Sequence, residues 1–181
     1  MKKILQANQK PARHATQGVA GGEEKVLRAI AKEVPIKDIK TLKIKKVLKE
    51  MSASLKSQSD GVAIAAPQIG YSLRIFVVAG RIFEKDFGKP KENLLPEKTK
   101  PARHATRGVA GGDLIFINPK ISKLSKDKDW MMEGCLSVRP FYGQTWRSKK
   151  ATVTAYDENG RKFTRGASGL LAQIFQHETD H

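Results

Sequence analysis

The last turns of the sequence constrain the fold most, because they place two histidines on the apolar face of one helix. Leu170, Ile174, His177 and His181 follow one another at steps of four, three and four residues. That spacing is typical of a single helical face, and the apolar members indicate that this face points toward the core. A lone histidine there is usually a hydrogen-bonded core residue. Two histidines, with a glutamate directly after the first, favour a functional site.

The same residues form a motif associated with metal binding. His177 to His181 reads HETDH, an H-E-x-x-H pattern. Histidines four residues apart lie one helical turn apart, so both can hold one metal ion from the same side, with Glu178 beside them as a general base. A pattern of five residues also occurs by chance, so a third ligand from another segment strengthens the hypothesis.

Cys135 is the best candidate for this third ligand. It is the single cysteine of the chain, so it has no partner within the chain for a disulfide. A buried, inert thiol is the alternative. A Cys–His–His set leaves one of the four usual positions open, as catalytic sites do. A water in that position would have a lowered pKa, and Glu178 would take its proton. Because a thiolate also makes the metal a softer Lewis acid, this chemistry suits attack on a small, accessible carbonyl group.

Upstream of these motifs, the sequence predicts one further helix and two short strands. Apolar residues at helical spacing, separated by lysines, predict an amphipathic helix over about 40–57. Arg74–Val78 and Leu114–Ile117 are β-branched and aromatic runs typical of buried strands. Asn118-Pro119 is expected to end the second of them.

A strand, a turn and a partner strand are expected to precede the histidine helix. Ala151–Tyr156 alternates in the manner of a strand, residues 157–160 read as a turn, and the partner strand covers about 161–165. Ser168 can cap a helix that begins at Gly169. The predicted fold class is therefore α+β, with antiparallel sheets packed around a central metal-binding HExxH helix.

A duplicated segment interrupts this pattern. Lys10–Gly22 reads KPARHATQGVAGG and Lys100–Gly112 reads KPARHATRGVAGG, so the two copies differ at one position. Both are rich in glycine, alanine and basic residues and lack an apolar stripe, which favours solvated loops. We therefore expect a single domain over 1–181, with inserted repeats at 10–22 and 100–112. A function for His14 and His104 as paired ligands is the less favoured alternative.

Composition narrows the class of protein and its location. A chain of 181 residues with 39% hydrophobic residues suits one globular domain. Because it has a single cysteine, no secretory signal and no apolar run of about 18 residues, we expect a cytoplasmic protein with no membrane partner. The formal charge is +16. Its lysines are spread along the chain without a basic stripe, which favours a charged coat over a dedicated RNA site, although a ribosome surface stays open as a partner.

Three segments, taken in order, resemble the peptide deformylases. They are GVAIAAPQ at Gly61–Gln68, EGCLS at Glu133–Ser137, and HETDH at His177–His181. The resemblance runs from about residue 24 to the end, apart from the second repeat. It implies a metallohydrolase that removes the N-formyl group from the initiating methionine of nascent proteins and releases formate. It also implies iron(II) as the metal, with zinc, nickel or cobalt able to occupy the site.

The resemblance assigns roles residue by residue. Cys135, His177 and His181 match the metal ligands of the family, and Glu178 matches its catalytic base and later proton donor. Gln68 matches the glutamine whose side-chain amide stabilises the oxyanion.

The resemblance also assigns roles around these residues. The backbone N–H of Leu136 is the second oxyanion donor, and Gly61 matches a position that lines the substrate entrance. Glu133 and Arg147 resemble an ion pair that braces the cysteine loop.

The sequence departs from the family pattern at three places. Ala63 and Ile64 replace a glycine and a leucine, and an alanine at a positive φ would be strained and would shift Gln68. Arg139-Pro140 stands where the family places proline directly after the hydrophobic residue, so the rim of the methionine pocket is expected to differ. The sequence given ends at His181, where the family continues the helix, and this ending predicts weakened metal affinity and reduced turnover.

Three other interpretations stay open at this point. The first is a deformylase-like protein with impaired catalysis. The second is a basic ribosome- or RNA-associated binding protein on the same scaffold. A zinc endopeptidase is the enzymatic alternative, although EGCLS and GVAIAAPQ disfavour it.

Overall fold

A computed structural model describes residues 2–6, 21–84, 87 and 112–181. Within these residues the helices are α1 Gly21–Arg28, α2 Leu42–Lys56 and α3 Gly169–Asp180, and the strands are β1 Ala63–Ala65, β2 Ile75–Val78, β3 Leu114–Leu124, β4 Lys128–Gly134, β5 Tyr142–Ser148, β6 Lys150–Tyr156 and β7 Lys162–Ser168. Nearly all of the two repeats, at 10–22 and 100–112, lies outside the described residues. Their assignment as inserted loops stays a prediction.

The described strands form two antiparallel sheets. The larger sheet has the order β1-β2-β3-β6-β7, and β4 pairs with β5 in a separate hairpin. Helices and antiparallel strands together confirm the mixed α+β class. The sequence predicted β2, β6 and β7, whereas the β4–β5 hairpin was not predicted.

β3 continues past the point where the sequence predicted its end. The strand runs to Leu124, and its pairing with β6 shifts register between Ile117 and Lys120. At this irregularity Asn118 takes a φ of 52° and its side chain bonds both the backbone N–H and the carbonyl of Val34, each at 2.7 Å. The predicted stop at Asn118-Pro119 is wrong, because a bulge absorbs the proline and an asparagine tolerates the left-handed conformation.

α2 lies within the range predicted for it. The Thr41 side chain caps the helix by accepting a hydrogen bond from the Ile44 N–H at 3.4 Å. Its buried face joins β1–β3 residues in one apolar cluster and includes Val47, Leu48 and Met51. This packing places the loop after α2, which carries Gly61, against the edge of the sheet.

α3 packs on the other side of the large sheet, against β6, β7 and β3. Phe175 of the helix contacts Phe116 and Phe76 of the sheet, with ring centroids 5.1 and 6.3 Å away. α3 begins at Gly169 as predicted, with Ser168 as the extended residue before it. The predicted side-chain cap is wrong, because the Ser168 side chain makes no capping hydrogen bond. No helix in the described ranges is long and apolar enough to cross a membrane.

Phe116 is expected to be a main determinant of stability. Its side chain is 1% exposed and stacks on Phe76 at 4.5 Å. Replacing Phe116 by alanine should lower the free energy of unfolding by about 3–5 kcal/mol, because it leaves a cavity between helix and sheet. Urea denaturation checks this, with Ile30→Ala as control because Ile30 is 93% exposed. Similar losses in the two variants would contradict the described core.

Candidate metal centre and cleft

Three side chains with metal-binding atoms converge between the hairpin and α3. Cys135 directly follows β4, His177 lies in the last turns of α3, and His181 forms its C-cap. One ligand atom from each lies within 4.8 Å of the others, and the Cys135 Sγ is 3.4 Å from the His181 Nε2. All three are partly buried. The fold thus brings together residues separated by 46 positions in the sequence.

A carboxylate orients the first histidine. The His177 Nδ1 lies 3.1 Å from the Glu133 Oε2 and donates to it, which leaves the other ring nitrogen as the one that can bind a metal. Imidazoles that bind metal usually donate their other ring N–H to a carboxylate in this way, which fixes the orientation of the ring. Arg147 holds Glu133 in turn, through two hydrogen bonds of 2.9 and 3.0 Å, which confirms the predicted ion pair. Arg147 also bonds Asp180 at 2.7 Å and so ties the hairpin to the end of α3.

The electrostatics of the convergence point favour a cation. Burial raises the pKa of the Cys135 thiol, but hydrogen bonds from His177 and His181 lower it by a larger amount. The resulting pKa is about 6. Burial lowers the pKa of His177, but the Cys135 sulfur, Glu178 and Glu133 raise it to about 9. Negative groups therefore surround the imidazoles, so a positive ion held by a thiolate and two imidazoles fits this donor set.

Glu178 adds an unsatisfied carboxylate beside these ligands. The residue is 8% exposed, and its Oε2 has no hydrogen-bond partner among the described residues. Burial raises the pKa of Glu178, while His177 and His181 act to lower it. A buried carboxylate oxygen without a partner is costly in free energy, which points to a ligand or water that it serves.

Gln68 is held with its amide nitrogen toward the cysteine loop. Its Oε1 accepts from the Ala65 N–H at 2.8 Å, while its Nε2 lies 3.3 Å from both the Cys135 Sγ and the Ser137 Oγ. The strain considered at Ala63 is absent. That residue is extended in β1, paired with Val78, and among the non-glycine residues described only Asn118 has a positive φ.

Leu136 and Gly61 border the same site. Leu136 packs against the α2 cluster, and its carbonyl accepts from the Gln6 Nε2 at 2.9 Å. Packing around Gly61 is tight, because an added Cβ would lie 3.0 Å from the Gln58 Cβ and from the Leu55 Cδ1, so either side chain would have to shift. Both residues line the cleft described next.

A cleft of about 200 Å³ leads to the convergence point. Cys135, His177, Glu178 and Gln68 line its base. His181 lies off this cleft and lines a second cavity beside the last turn of α3.

The rim of the cleft was only partly anticipated. Arg139, flagged by its departure from the family pattern, forms an ion pair with Asp60 of the opposite wall. Met132, Phe141 and Tyr142 also line the cleft. Sequence reasoning missed these three rim residues. Their only signal in the sequence was apolar and aromatic residues close to EGCLS.

The polypeptide deformylase family model matches residues 17–181. The chain belongs to this family. Its members are metal-dependent hydrolases that act on formylated nascent peptides. This membership agrees with a site in which a thiolate, two imidazoles and a glutamate meet beside a cleft.

Two individual relatives are named peptide deformylase. The chain is 34% identical over 160 residues to peptide deformylase 2 of Clostridium acetobutylicum, covering 88% of this chain and 84% of that protein. It is 35% identical over 163 residues to the chloroplastic/mitochondrial peptide deformylase 1A of Arabidopsis thaliana, covering 90% of this chain but 56% of that longer protein.

Solved structures of deformylases are also similar in fold. A peptide deformylase from Legionella pneumophila aligns with a TM-score of 0.69 at 28% identity, covering all of this chain and 80% of that one. A deformylase from Synechococcus elongatus in complex with actinonin aligns with a TM-score of 0.69 at 26% identity, covering 99% of this chain and 74% of that one.

For a deformylase built in this way, Glu133 is expected to control metal affinity without touching the metal. Replacing Glu133 by glutamine should weaken metal binding about 10- to 100-fold, because His177 loses its charged acceptor. Competition with a chelator measures the affinity. Asp129→Asn is the control, because Asp129 lies exposed on the same strand and its pair with Lys149 is a surface one. Equal affinities in the two variants would contradict the orienting role of Glu133.

Proposed function

We propose that this chain removes the N-formyl group from the N-terminal methionine of newly made proteins and releases formate, with Cys135, His177 and His181 as ligands of iron(II). One observation carries the assignment of the site. Three ligand atoms meet within 4.8 Å, beside a buried carboxylate oxygen that lacks a partner among the described residues, and two of the three ligands, Cys135 and His177, line the cleft. Zinc, nickel or cobalt fit the same donor set.

Each protein group has a defined task in this reaction. The metal, when bound, would activate the attacking water and polarise the formyl carbonyl. The Glu178 Oε2 accepts a proton from that water as its oxygen adds to the formyl carbon. Glu178 then passes the proton to the amide nitrogen as the carbon–nitrogen bond breaks, so formate and a free α-amine leave. Burial of Glu178 suits both steps, since it raises the carboxyl pKa.

Two donors stabilise the negative charge that develops on the formyl oxygen. The Gln68 Nε2 is aimed at the site because the Ala65 N–H fixes the other end of the amide. The backbone N–H of Leu136 supplies the second hydrogen bond. Donors preorganised in this way lower the activation barrier by about 3 kcal/mol each. Gly61, at the mouth, leaves room for the peptide backbone of the substrate.

The proposal includes the wider setting of the site. α3 acts as the central metal-binding helix, and the repeats at 10–22 and 100–112 are insertions into a single domain over 1–181. The protein works in the cytoplasm, on formyl-methionyl nascent peptides, with the ribosome surface as a further partner. Its formal charge of +16 supports contact with an anionic surface. The other interpretations, a dedicated RNA-binding protein and a zinc endopeptidase, are not favoured by relatives that are named peptide deformylases.

A direct assay tests the proposed reaction. Protein loaded anaerobically with iron(II) should release formate from a formyl-methionyl peptide and leave the acetyl-methionyl analogue intact. Binding of actinonin, the compound in the Synechococcus elongatus structure, should block release. Absence of formate release from fully metal-loaded protein would overturn the proposal, and cleavage of internal peptide bonds would favour an endopeptidase.

A further inference from the structure

The hairpin exposes an apolar face on the side that does not hold the metal-site residues. Glu133 and Arg147 face α3, whereas the alternate residues point to solvent. Trp130, Met132 and Tyr142 of that outer face are 60%, 60% and 65% exposed, and Trp146 is 50% exposed. Four large apolar side chains on one small surface are unusual for a soluble protein and indicate a binding surface.

The two indoles form the outer end of this face. Trp130 and Trp146 are direct cross-strand partners, with ring centroids 5.3 Å apart and planes inclined at 55°. At the inner end Gly134 pairs with Tyr142, whose ring covers the glycine so closely that an added Cβ would lie 2.4 Å from the Tyr142 Cε1. The face is thus an ordered strip with defined ends.

The inner end of the strip is part of the wall of the catalytic cleft. Met132, Gly134 and Tyr142 all line the cleft. Trp146 lies four residues beyond Tyr142 along β5, or about 13 Å at 3.3 Å per residue, and Trp130 lies two residues beyond Met132 along β4. A substrate that leaves the cleft in extended form therefore needs about two to four residues to reach the indoles.

We propose that the Trp130–Trp146 pair is a distal subsite that binds an apolar side chain of the substrate polypeptide, about two to four residues beyond the cleft rim. This inference rests on the proposed function. The substrate fits because it must leave the cleft as a chain, and the strip continues the cleft wall without a break.

Charge and size disfavour a nucleic acid or a second copy of this chain as the occupant of this face. On a chain of formal charge +16, the six residues of the strip carry no charge: Trp130, Met132, Gly134, Tyr142, Gln144 and Trp146. A nucleic-acid site needs cations for the phosphates. Six residues are also far fewer than the roughly 20–30 per partner in a stable dimer.

The kinetic test compares formyl-methionyl peptides of about three and about eight residues, the longer with leucine or serine at the distal positions. For wild-type protein loaded with iron(II), kcat/KM should be about tenfold higher for the long leucine peptide, mostly through a lower KM. In the double variant Trp130→Thr, Trp146→Thr, which keeps strand propensity, the ratio of long to short should fall to about one. The matched pair Trp130→Phe, Trp146→Phe should keep most of the gain.

Fluorescence gives a readout that is independent of turnover. Trp130 and Trp146 are the two tryptophans of the chain, so the intrinsic indole emission reports on the strip alone. Titrating the Glu178→Gln protein with the long leucine peptide, free of tryptophan and tyrosine, should give a saturable blue shift. The short peptide should give none.

Each remaining outcome decides against one claim. Hydrolysis of the short peptide without any gain for the long one, or a gain that persists in the threonine variant, overturns the distal subsite and leaves the proposed function intact. Emission that responds to protein concentration but not to peptide assigns the face to a dimer, and emission that responds to an oligonucleotide but not to peptide assigns it to RNA. Either result overturns the distal subsite. No hydrolysis of any peptide overturns the proposed function, and the fluorescence titration then decides the subsite separately.

Discussion

Replacing Glu178 by glutamine is expected to lower kcat for formate release by about 10²- to 10⁴-fold while the protein keeps its metal. Glutamine has nearly the same shape but cannot accept a proton. The Oε2 of Glu178 has no hydrogen-bond partner among the described residues, so the change breaks no contact of that atom. Formate release under single-turnover conditions gives the rate, and elemental analysis gives the metal content.

The matched control is Glu158→Gln in the turn between β6 and β7, which should leave kcat unchanged. It removes a carboxylate of the same length at a distance from the cleft lining. A Glu178→Gln protein that retains kcat within a factor of about ten, at full metal content, would show that another group moves the proton.

Replacing Cys135 by serine is expected to remove the metal itself. With its pKa at about 6, the thiol of Cys135 is mostly thiolate at neutral pH, whereas a serine hydroxyl stays protonated. The loss of metal affinity should exceed the roughly 10- to 100-fold expected for loss of Glu133, which contacts His177 and not the metal. Dialysis followed by elemental analysis should find much less than one metal ion per chain, and formate release should fall in proportion.

The two substitutions separate the roles of neighbouring groups. The serine variant should lose metal and turnover together, whereas the Glu178 variant should lose turnover alone. Full metal occupancy after dialysis of the Cys135→Ser protein would contradict the ligand set. Unfolding monitored by circular dichroism controls for a general loss of structure.

Regular patterns in the sequence predicted the parts of the fold that bury one face. α2 and the β6–β7 pair carry apolar residues at the helical or strand period, and the structure contains both. α3 was predicted from the spacing of its apolar residues and histidines. Its start at Gly169 was predicted for the wrong reason, since Ser168 does not cap the helix through its side chain.

The missed elements lack such a pattern. β4 and β5 expose aromatic side chains on one face and bury charged ones on the other, which inverts the usual signal. β3 continues through Asn118-Pro119 because the Asn118 side chain bonds Val34, a contact 84 residues away in sequence. Contacts between residues this far apart in the sequence cannot be inferred from local propensity.

The candidate site divides in the same way. Residues within contiguous motifs, such as Cys135 and His177, could be named from the sequence together with a family resemblance. The Asp60–Arg139 pair and the outer strip of the hairpin depend on how distant segments pack, so they required the structure.

The fork made by Arg147 has a consequence for how such chains can diverge. One guanidinium grips Glu133 of the hairpin and Asp180 of the helix at once. A lysine has one ammonium group and lacks the planar fork, so it could serve only one of the two carboxylates well. Loss of Arg147 would leave Glu133, whose side chain is 10% exposed, without its charged partner and would release Asp180 from the hairpin. In evolution these three residues should therefore be retained or replaced as a set, so that the hairpin and the helix drift together rather than separately.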